Sequence, residues 1–410
     1  MPKIIPFKAV RPTRDKVSLI ASRSYDTYSK SERKARLDNN PYSFLHIVNP
    51  GYKYHKEISG EARYKLVRNR YLEFKEEGIF IQDQKPAFYV YKIVNRDNES
   101  FVGVIAAASI LDYKNNLIKK HENTIKDREE IFKEYLKITG FNSEPVLLTH
   151  PDSSALTVIC EAVMQLRAEY EFTTTYQDTH YLWPVFDHNT IQAIQNAYAK
   201  MSALYIADGH HRSSSSALLF DDLSQSQSAG ESSNHFMVYI IPESHLRIHA
   251  FSRMIKDLNG KDKEQLLVEL DSVFKIENRG NFYVKPARIH EFSMYLDGEF
   301  YLLSLRVQYR SFNNALENLD AQILYDLVLK PILNITNPRA DVRLGYGKGK
   351  DDMLLVKQKV DKGLYAVGFG LFPATTQQIK DISDQGLTMP PKSTFIQPKL
   401  RSGITIYEFF

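Results

Sequence analysis

The chain has one cysteine, one tryptophan and no long apolar run among its 410 residues. Cys160 alone cannot form an intramolecular disulfide or a cysteine-based metal site, and a single thiol fits a reducing compartment. The longest apolar stretch, Phe101–Leu111, is much shorter than the ~20 residues that span a bilayer. The first residues also lack the apolar core of a signal peptide. We therefore expect a cytoplasmic protein with no membrane partner.

The chain also has little net charge. Its 53 basic and 49 acidic residues give a formal charge of +4, which is small for this length and gives no general argument for nucleic-acid binding. No helix-turn-helix pattern is recognisable, so we expect no nucleic-acid partner. The length exceeds that of one ordinary core, which predicts two or three domains.

Short apolar runs alternate with amphipathic segments, which predicts a mixed α/β fold. Two of these runs, Leu204–Ala207 and Phe236–Ile241, are typical of buried strands. A serine-rich loop at 221–233 indicates a domain seam. We therefore predict an N-terminal segment at 1–100 packed on a core, a catalytic core at 101–222, and a C-terminal α/β domain at 234–410.

A strand–turn–helix pattern lies at Ala203–Leu219, ALYIADGHHRSSSSALL. The turn signal Asp208-Gly209 follows the apolar run, and two histidines and Arg212 stand at the predicted start of the helix. The macrodipole prefers anions at this end by ~0.3–1 kcal/mol. Since free backbone N–H groups lie there too, a phosphate would satisfy the amides, the dipole and the arginine together. The pattern favours a phosphate site over the alternative, a solvated loop whose histidines bond to neighbouring backbone.

Two other polar segments give weaker signals. Asp112–Glu134 contains His121-Glu122-Asn123-Thr124, but a charge run of this kind is typical of a solvated helix face. The second histidine of a metalloprotease motif is also missing. Gly345–Lys350 (GYGKGK) lacks the Walker spacing and its serine or threonine, and it predicts a mobile turn.

The end of the chain sets three cations among prolines. Lys392, Lys399 and Arg401 lie in Met389–Gly403 (MPPKSTFIQPKLRSG), and the apolar ITIYEFF that follows can pair as a strand. This predicts a docked segment that brings cations and hydroxyls to an anionic ligand. A basic surface strap is the open alternative.

With these motifs in view, the chain resembles a bacterial and archaeal family catalogued as a domain of unknown function and marked by ADGHHR at 207–212. Ser213 departs from the family, in which an aromatic residue is expected at this position in many relatives. The resemblance extends nearly from end to end and is carried by Ile5-Pro6-Phe7, Arg11-Pro12, Tyr25-Asp26, Asn40-Pro41-Tyr42-Ser43-Phe44, His121-Glu122, Thr124, His180, Leu182-Trp183-Pro184 and Met389–Gly403. It implies kinship with the ParB/sulfiredoxin-like superfamily, with a core of that type at 101–222 and additional N- and C-terminal α/β segments.

The functional analogue that the resemblance implies is the ADP-dependent free L-serine kinase, which interconverts serine and O-phosphoserine. Glu122 would then be the base on the serine hydroxyl, and Asp208 would contact Mg²⁺ or help to place the substrate. The implied phosphate ligands are Gly209, His210, His211 and Arg212. The implied second-tier substrate contacts are His121, His180, Lys392, Ser393, Thr394, Lys399 and Arg401.

The implied partners are serine or phosphoserine, Mg²⁺, and ADP or ATP as co-substrate. Because phosphoryl transfer depends mostly on positioning and charge stabilisation, a related site could pass the group to water. A phosphoserine phosphatase of serine biosynthesis is therefore an open alternative, and a nucleotide-binding ParB-like regulator is the non-enzymatic one. Both enzymatic readings require the turn Asp208–Arg212 and the pair His121-Glu122 to meet around one phosphoryl group.

Overall fold

The computed structural model describes residues 1–226, 230, 232–349 and 352–409. The chain folds into two compact units. The first unit comprises residues 1–120, 124–246 and 398–409, and the second comprises 121–123 and 247–397. The three-part division predicted above, with its boundaries at 100, 222 and 234, stays a prediction.

The strands are short, and most belong to two large sheets. In chain order they are β1 Ile4–Ile5, β2 Val10–Pro12, β3 Phe80–Gln82, β4 Phe88–Val94, β5 Ser100–Ser109, β6 Ile118–Lys119, β7 Phe141–Asn142, β8 Val146–His150, β9 Tyr170–Thr173, β10 Thr179–Val185, β11 Leu204–Asp208, β12 His235–Pro242, β13 Arg247–His249, β14 Phe251–Ile255, β15 Phe274–Gly280, β16 Glu291–Leu296, β17 Glu299–Leu305, β18 Leu344–Lys348, β19 Val367–Leu371, β20 Phe395–Gln397 and β21 Tyr407–Glu408.

The α-helices range from single turns to the long helix that precedes β3. They are α1 Val17–Ile20, α2 Lys30–Asn39, α3 Leu45–Val48, α4 Gly60–Glu76, α5 Ile110–Lys114, α6 Lys126–Thr139, α7 Ser154–Met164, α8 His188–Tyr198, α9 His210–Gln225, α10 Lys263–Val273, α11 Asp320–Leu324, α12 Asp352–Asp361 and α13 Thr376–Asp384. The predicted mixed α/β class is therefore correct. Among the described residues, no helix is both long and apolar enough to cross a membrane.

The first unit is built on a nine-stranded mixed sheet in the order β6-β11-β8-β12-β5-β4-β10-β9, with β1 also paired to β5. The pairs β11–β6 and β12–β8 are parallel and the others are antiparallel. Helices α7 and α8 bury Cys160 and Ile194 against one face of this sheet. As the sequence predicts, Asp187 caps α8, since its carboxylate accepts the Thr190 N–H at 2.8 Å.

The end of the chain docks onto the first unit, as the apolar ITIYEFF predicts. Tyr407 and Glu408 pair antiparallel with β7. Ile406 is fully buried and exchanges backbone hydrogen bonds with Val10. Buried apolar side chains and a paired strand thus hold a tail that would otherwise fray.

The second unit contains a six-stranded sheet in the order β15-β17-β16-β19-β14-β18. The predicted hairpin is the antiparallel pair β16–β17. Its turn residues Asp297 and Gly298 both have positive φ, at 48° and 83°, as a two-residue hairpin turn requires. The backbone conformation that an Asp-Gly sequence favours is therefore the one that the chain adopts.

The interpretation of GYGKGK as a mobile turn is wrong. Its residues 345–348 belong to strand β18, which pairs with β14, and Lys350 lies outside the described residues. A Cβ atom at Gly347 would lie 2.3 Å from the Ser252 hydroxyl oxygen. The glycines here therefore permit close packing between neighbouring segments rather than motion.

One further expectation is corrected. His121–Thr124 does not lie on a helix, because α6 begins only at Lys126. The segment rich in β-forming residues at 173–185 also contains a turn, between β9 and β10, in which Gln177 has a φ of 64°. In both places polar residues form a turn or loop within a segment whose composition, taken alone, favours one continuous element.

Candidate functional site

The strand–turn–helix predicted at 203–219 is present as β11, Gly209 and α9. The register of β11 against β8 shifts between Ile206 and Asp208, and a bulge of this kind re-aims the side chains that follow it. Gly209 has a φ of 101°, a conformation that side chains other than glycine's rarely adopt. The buried strand therefore ends in a sharp turn that directs Asp208 and the start of α9 to one edge of the sheet.

The positive partial charge at the N-terminus of α9 is not balanced by side chains of its own first turn. Gly209 is the N-cap residue and makes no side-chain cap, and the first turn contains no acidic residue. The N-cap residue therefore supplies no side-chain acceptor to the positive end of the helix dipole. An anion bound at this point would supply it.

Four charged side chains and a hydroxyl form one network beside this turn. Arg212 donates to the Glu144 carboxylate, and its Nη2 lies 3.7 Å from Asp208 Oδ2. Lys399 Nζ lies 3.4 Å from the same Asp208 oxygen, and the Ser402 hydroxyl donates to Glu144 Oε2 at 3.0 Å. The side chains of Asp208 and Lys399 are 41% and 43% exposed, against 17% for Glu144. The network thus has an inner carboxylate that orients Arg212 and an outer pair that faces solvent.

The two histidines of the turn differ in their surroundings. His210 is buried, at 5% exposure, whereas His211 is half-buried. Burial lowers the pKa of His211 and the nearby Arg128 lowers it further, against the opposing effect of Glu129. The buried Nδ1 of His211 has no hydrogen-bond partner among the described residues.

Glu129 on α6 links the two sequence motifs. One of its carboxylate oxygens, Oε1, accepts hydrogen bonds from the hydroxyls of both Thr124 and Ser214. Burial raises the pKa of Glu129, but these two hydrogen bonds together with the charges of His211 and Lys120 more than offset that effect, so its pKa lies below the ordinary value. Thr124 is two residues after Glu122, and Ser214 is two residues after Arg212. An ionised carboxylate therefore fixes the end of the first motif to the helix that carries the second.

Replacing Glu129 with alanine is expected to loosen the segment that precedes α6, because both hydroxyls lose their acceptor. Hydrogen exchange measured by mass spectrometry should be about tenfold faster in a peptide spanning 120–128, since a hydrogen bond to a charged group contributes about 1.5 kcal/mol. Glu129→Gln keeps an oxygen at the same place and should remain near wild type. Glu130→Gln removes only an ion pair with Lys133 and is the matched control. Unchanged exchange in Glu129→Ala would contradict this role.

Arg401 and His180 also lie in the first unit. Arg401 is buried and donates to Asp178 Oδ2 at 2.6 Å. His180 is fully buried, and its Nδ1 lies 2.7 Å from the Tyr91 hydroxyl. Burial lowers the pKa of His180 to about 3, and the charge of Arg401 lowers it as well. His180 is therefore a neutral hydrogen-bonding group and not a titrating acid or base.

The remaining predicted residues belong to the second unit, where His121-Glu122 and MPPKST come together. The Met389 N–H donates to the carbonyl of His121 at 2.9 Å, and the Thr388 hydroxyl donates to Asn123 Oδ1 at 3.3 Å. His121 is fully buried, and Glu122 beside it is half-buried. Two motifs that are far apart in the sequence thus share one loop cluster.

The other residues of the MPPKST segment are held locally. The Ser393 hydroxyl donates to the carbonyl of Pro390 at 2.7 Å, and the Lys392 ammonium lies 5.7 Å from the centroid of the Phe251 ring. Lys392 has a φ of 58°, and Thr394 is half-buried. The predicted residues are thus divided between the two units.

The family model described as "Protein of unknown function (DUF1015)" matches residues 4–322. The chain belongs to this family. The match includes His121-Glu122, His180 and 207–212, and it ends before MPPKST. No curated protein matches the chain.

The solved structures that the chain resembles are distant. They include a free serine kinase in complex with AMP, at 12% identity and a TM-score of 0.33, covering 71% of this chain and 89% of that one. A conserved hypothetical protein from Pyrococcus furiosus has 14% identity, a TM-score of 0.33, and coverages of 71% and 91%. C-terminally truncated SbnI from Staphylococcus aureus has 14% identity, a TM-score of 0.38, and coverages of 73% and 85%.

Proposed function

We propose that this protein is a phosphotransferase that interconverts L-serine and O-phospho-L-serine with a nucleotide as co-substrate. The observation that carries the proposal is the turn at Asp208–Arg212. There an uncapped helix N-terminus, a glycine at a φ of 101°, and the cations Arg212 and Lys399 lie together. This combination suits a phosphoryl group, because amide N–H groups and cations both stabilise its oxygens.

Phosphoryl transfer depends mainly on positioning and on neutralising charge. In the proposal, Arg212 is oriented by Glu144 and contacts phosphate oxygens with its guanidinium fork. The backbone N–H groups of His210 and His211 face the same oxygens. Gly209 allows the phosphate to approach the backbone closely, and Lys399 adds an exposed positive charge next to Asp208.

Glu122 is the proposed base on the serine hydroxyl. A carboxylate can take the proton as the oxygen attacks phosphorus, and it returns the proton when the reaction runs toward serine. Thr124, held by Glu129, restrains the end of the loop that carries this residue. The other proposed substrate contacts are His121, His180, Lys392, Ser393, Thr394 and Arg401.

Mg²⁺ fits the residues at the turn. Mg²⁺ is usually bound by one or two carboxylates together with water and substrate phosphates, and Asp208 offers one partly exposed carboxylate. When bound, the ion would neutralise charge on the transferred phosphoryl group. Asp208 would hold it and would exchange its contact with Lys399 for the ion.

Purified protein incubated with O-phospho-L-serine and Mg²⁺, with and without ADP, tests the proposal. We expect formation of serine and ATP that depends on ADP. Phosphate release without nucleotide would instead identify a phosphoserine phosphatase. Nucleotide binding without turnover would favour a regulatory protein, and either result would overturn the proposal.

A further inference from the structure

Three arginines surround the ring of Tyr176 in the first unit. The guanidinium carbons of Arg23, Arg36 and Arg401 lie 3.1, 5.1 and 5.4 Å from the ring centroid. Like charges this close repel one another unless anions compensate them. The cluster therefore requires negatively charged groups nearby to stabilise it.

The described residues supply only part of that charge. Asp178 pairs with Arg401 at 2.6 Å, and the half-buried Arg36 donates to the Thr175 hydroxyl. Among the described residues, no carboxylate oxygen lies within ion-pair distance of Arg23, which stacks on Tyr176. Hydrogen bonds with Ser29, and in addition the charges of Arg36 and Arg23, lower the pKa of a second carboxyl group, that of the exposed Glu32. Three arginines against the carboxylates of Asp178 and Glu32 leave one positive charge in excess.

Two hydrogen-bonding atoms nearby are also without partners. Arg401 Nε and His180 Nε2 are both buried and unpaired among the described residues. The Arg401 side chain is only 3% exposed, so water has little access to its Nε. Arg401 Nε is a donor that lacks an acceptor, and His180 offers its unpaired Nε2 while its Nδ1 contacts the Tyr91 hydroxyl at 2.7 Å.

We propose that Arg23 and Arg401 form an anion subsite that takes the carboxylate of the amino-acid substrate, an inference that rests on the proposed function. A carboxylate carries one negative charge and would neutralise the excess of one positive charge, whereas a phosphate dianion would exceed it. The planar fork of arginine also matches a carboxylate in two-point contact.

The subsite is connected to the phosphate turn. Ser402 follows Arg401 in the chain and donates to Glu144, which in turn accepts from Arg212. Adjacent residues of the tail thus belong to the proposed carboxylate site and to the network at the phosphate turn. O-phosphoserine carries both groups on one small molecule.

Isothermal titration calorimetry on the full chain tests the subsite with three probes: O-phospho-L-serine, its carboxamide analogue and inorganic phosphate. Arg23→Gln is the informative variant because, among the described residues, Arg23 has no ion pair whose loss would disturb folding. We expect it to weaken O-phosphoserine at least tenfold and to leave the carboxamide and phosphate unchanged. Arg33→Gln is the matched control, since Arg33 also stacks on a tyrosine, Tyr25.

Arg401→Lys is the second variant, because it keeps the charge beside Asp178 but loses the fork, and it should also weaken only the carboxylate ligand. Equal weakening of inorganic phosphate by Arg23→Gln would make the cluster a phosphate site and overturn the proposal. Equal affinity of wild type for O-phosphoserine and its carboxamide would overturn it too. Carboxylate-dependent binding without any phosphoryl transfer would leave the subsite standing and reject the proposed reaction.

Discussion

Replacing Glu122 with glutamine is expected to abolish turnover of O-phosphoserine and to leave nucleotide affinity largely intact. The amide has nearly the same size as the carboxylate but cannot take up or return the proton of the serine hydroxyl. Proton transfer by a positioned group contributes about 10²–10⁴-fold to a rate. Nucleotide affinity should persist because we assign the phosphate contacts to Gly209–Arg212. Steady-state rates and calorimetric titration with ADP measure the two effects separately.

Glu130→Gln is the matched control, since Glu130 carries the same functional group and forms only an ion pair with Lys133 on α6. Its rate should equal that of wild type. If Glu122→Gln retains the wild-type rate, Glu122 is not the base. If the variant loses ADP affinity to the same extent as rate, Glu122 holds the nucleotide and not the proton.

Replacing Arg212 with glutamine should weaken ADP binding and lower turnover, each by at least tenfold. The guanidinium is the charged donor closest to the uncapped start of α9, and a neutral amide cannot replace its charge-assisted contacts with phosphate. The change also removes an ion-pair partner from the mostly buried Glu144. That loss should reduce the free energy of unfolding by about 1–3 kcal/mol.

The double variant Arg212→Gln with Glu144→Gln separates these two effects. Because no buried carboxylate is left unpaired, thermal unfolding should return toward wild type, while ADP affinity stays low. Recovery of ADP affinity in the double variant would show that Arg212 acts only through stability. Wild-type affinity in the single variant would remove Arg212 from the phosphate site.

Local signals in the sequence predicted several of the strands and the turn of the candidate site. The apolar run at 204–207 is strand β11, and Asp208-Gly209 ends it where a turn was expected. The hairpin β16–β17 follows from Asp297-Gly298, and the burial of Cys160 follows from its place on an apolar helix face. In each case the deciding interactions lie within a few residues of one another, so a short window of sequence contains them.

Composition misled where packing decided the conformation. The glycines of 345–348 are typical of a turn, but they permit a strand to lie close to the Ser252 side chain. The charged segment around Glu122 is typical of one helix, but the first residues of that segment form a loop and α6 starts only at Lys126. A short stretch of sequence does not contain the packing partners that decide these two conformations.

The residues that organise the candidate site gave no sequence signal. Glu144, Glu129 and Arg23 are single charged residues in unremarkable surroundings, and no spacing relates them to Asp208–Arg212. Glu144 orients Arg212, and Glu129 holds Thr124 and Ser214, only because folding brings distant segments together. Their partners could be found only from coordinates.

The sequence by itself determined the α/β class and the strand–turn–helix at 203–219, because period and turn chemistry are local properties of the chain, whereas the roles of the other candidate residues were implied by the family resemblance. Tertiary structure alone decided that Lys399 reaches Asp208, that Met389 reaches His121, and that Arg23 and Arg401 share the ring of Tyr176. These contacts join residues far apart in the sequence, and they depend on how sheets and tail pack. The residue types that give the site its chemistry can therefore be recognised in the sequence. The geometry of the site depends on the burial of apolar surface elsewhere in the chain.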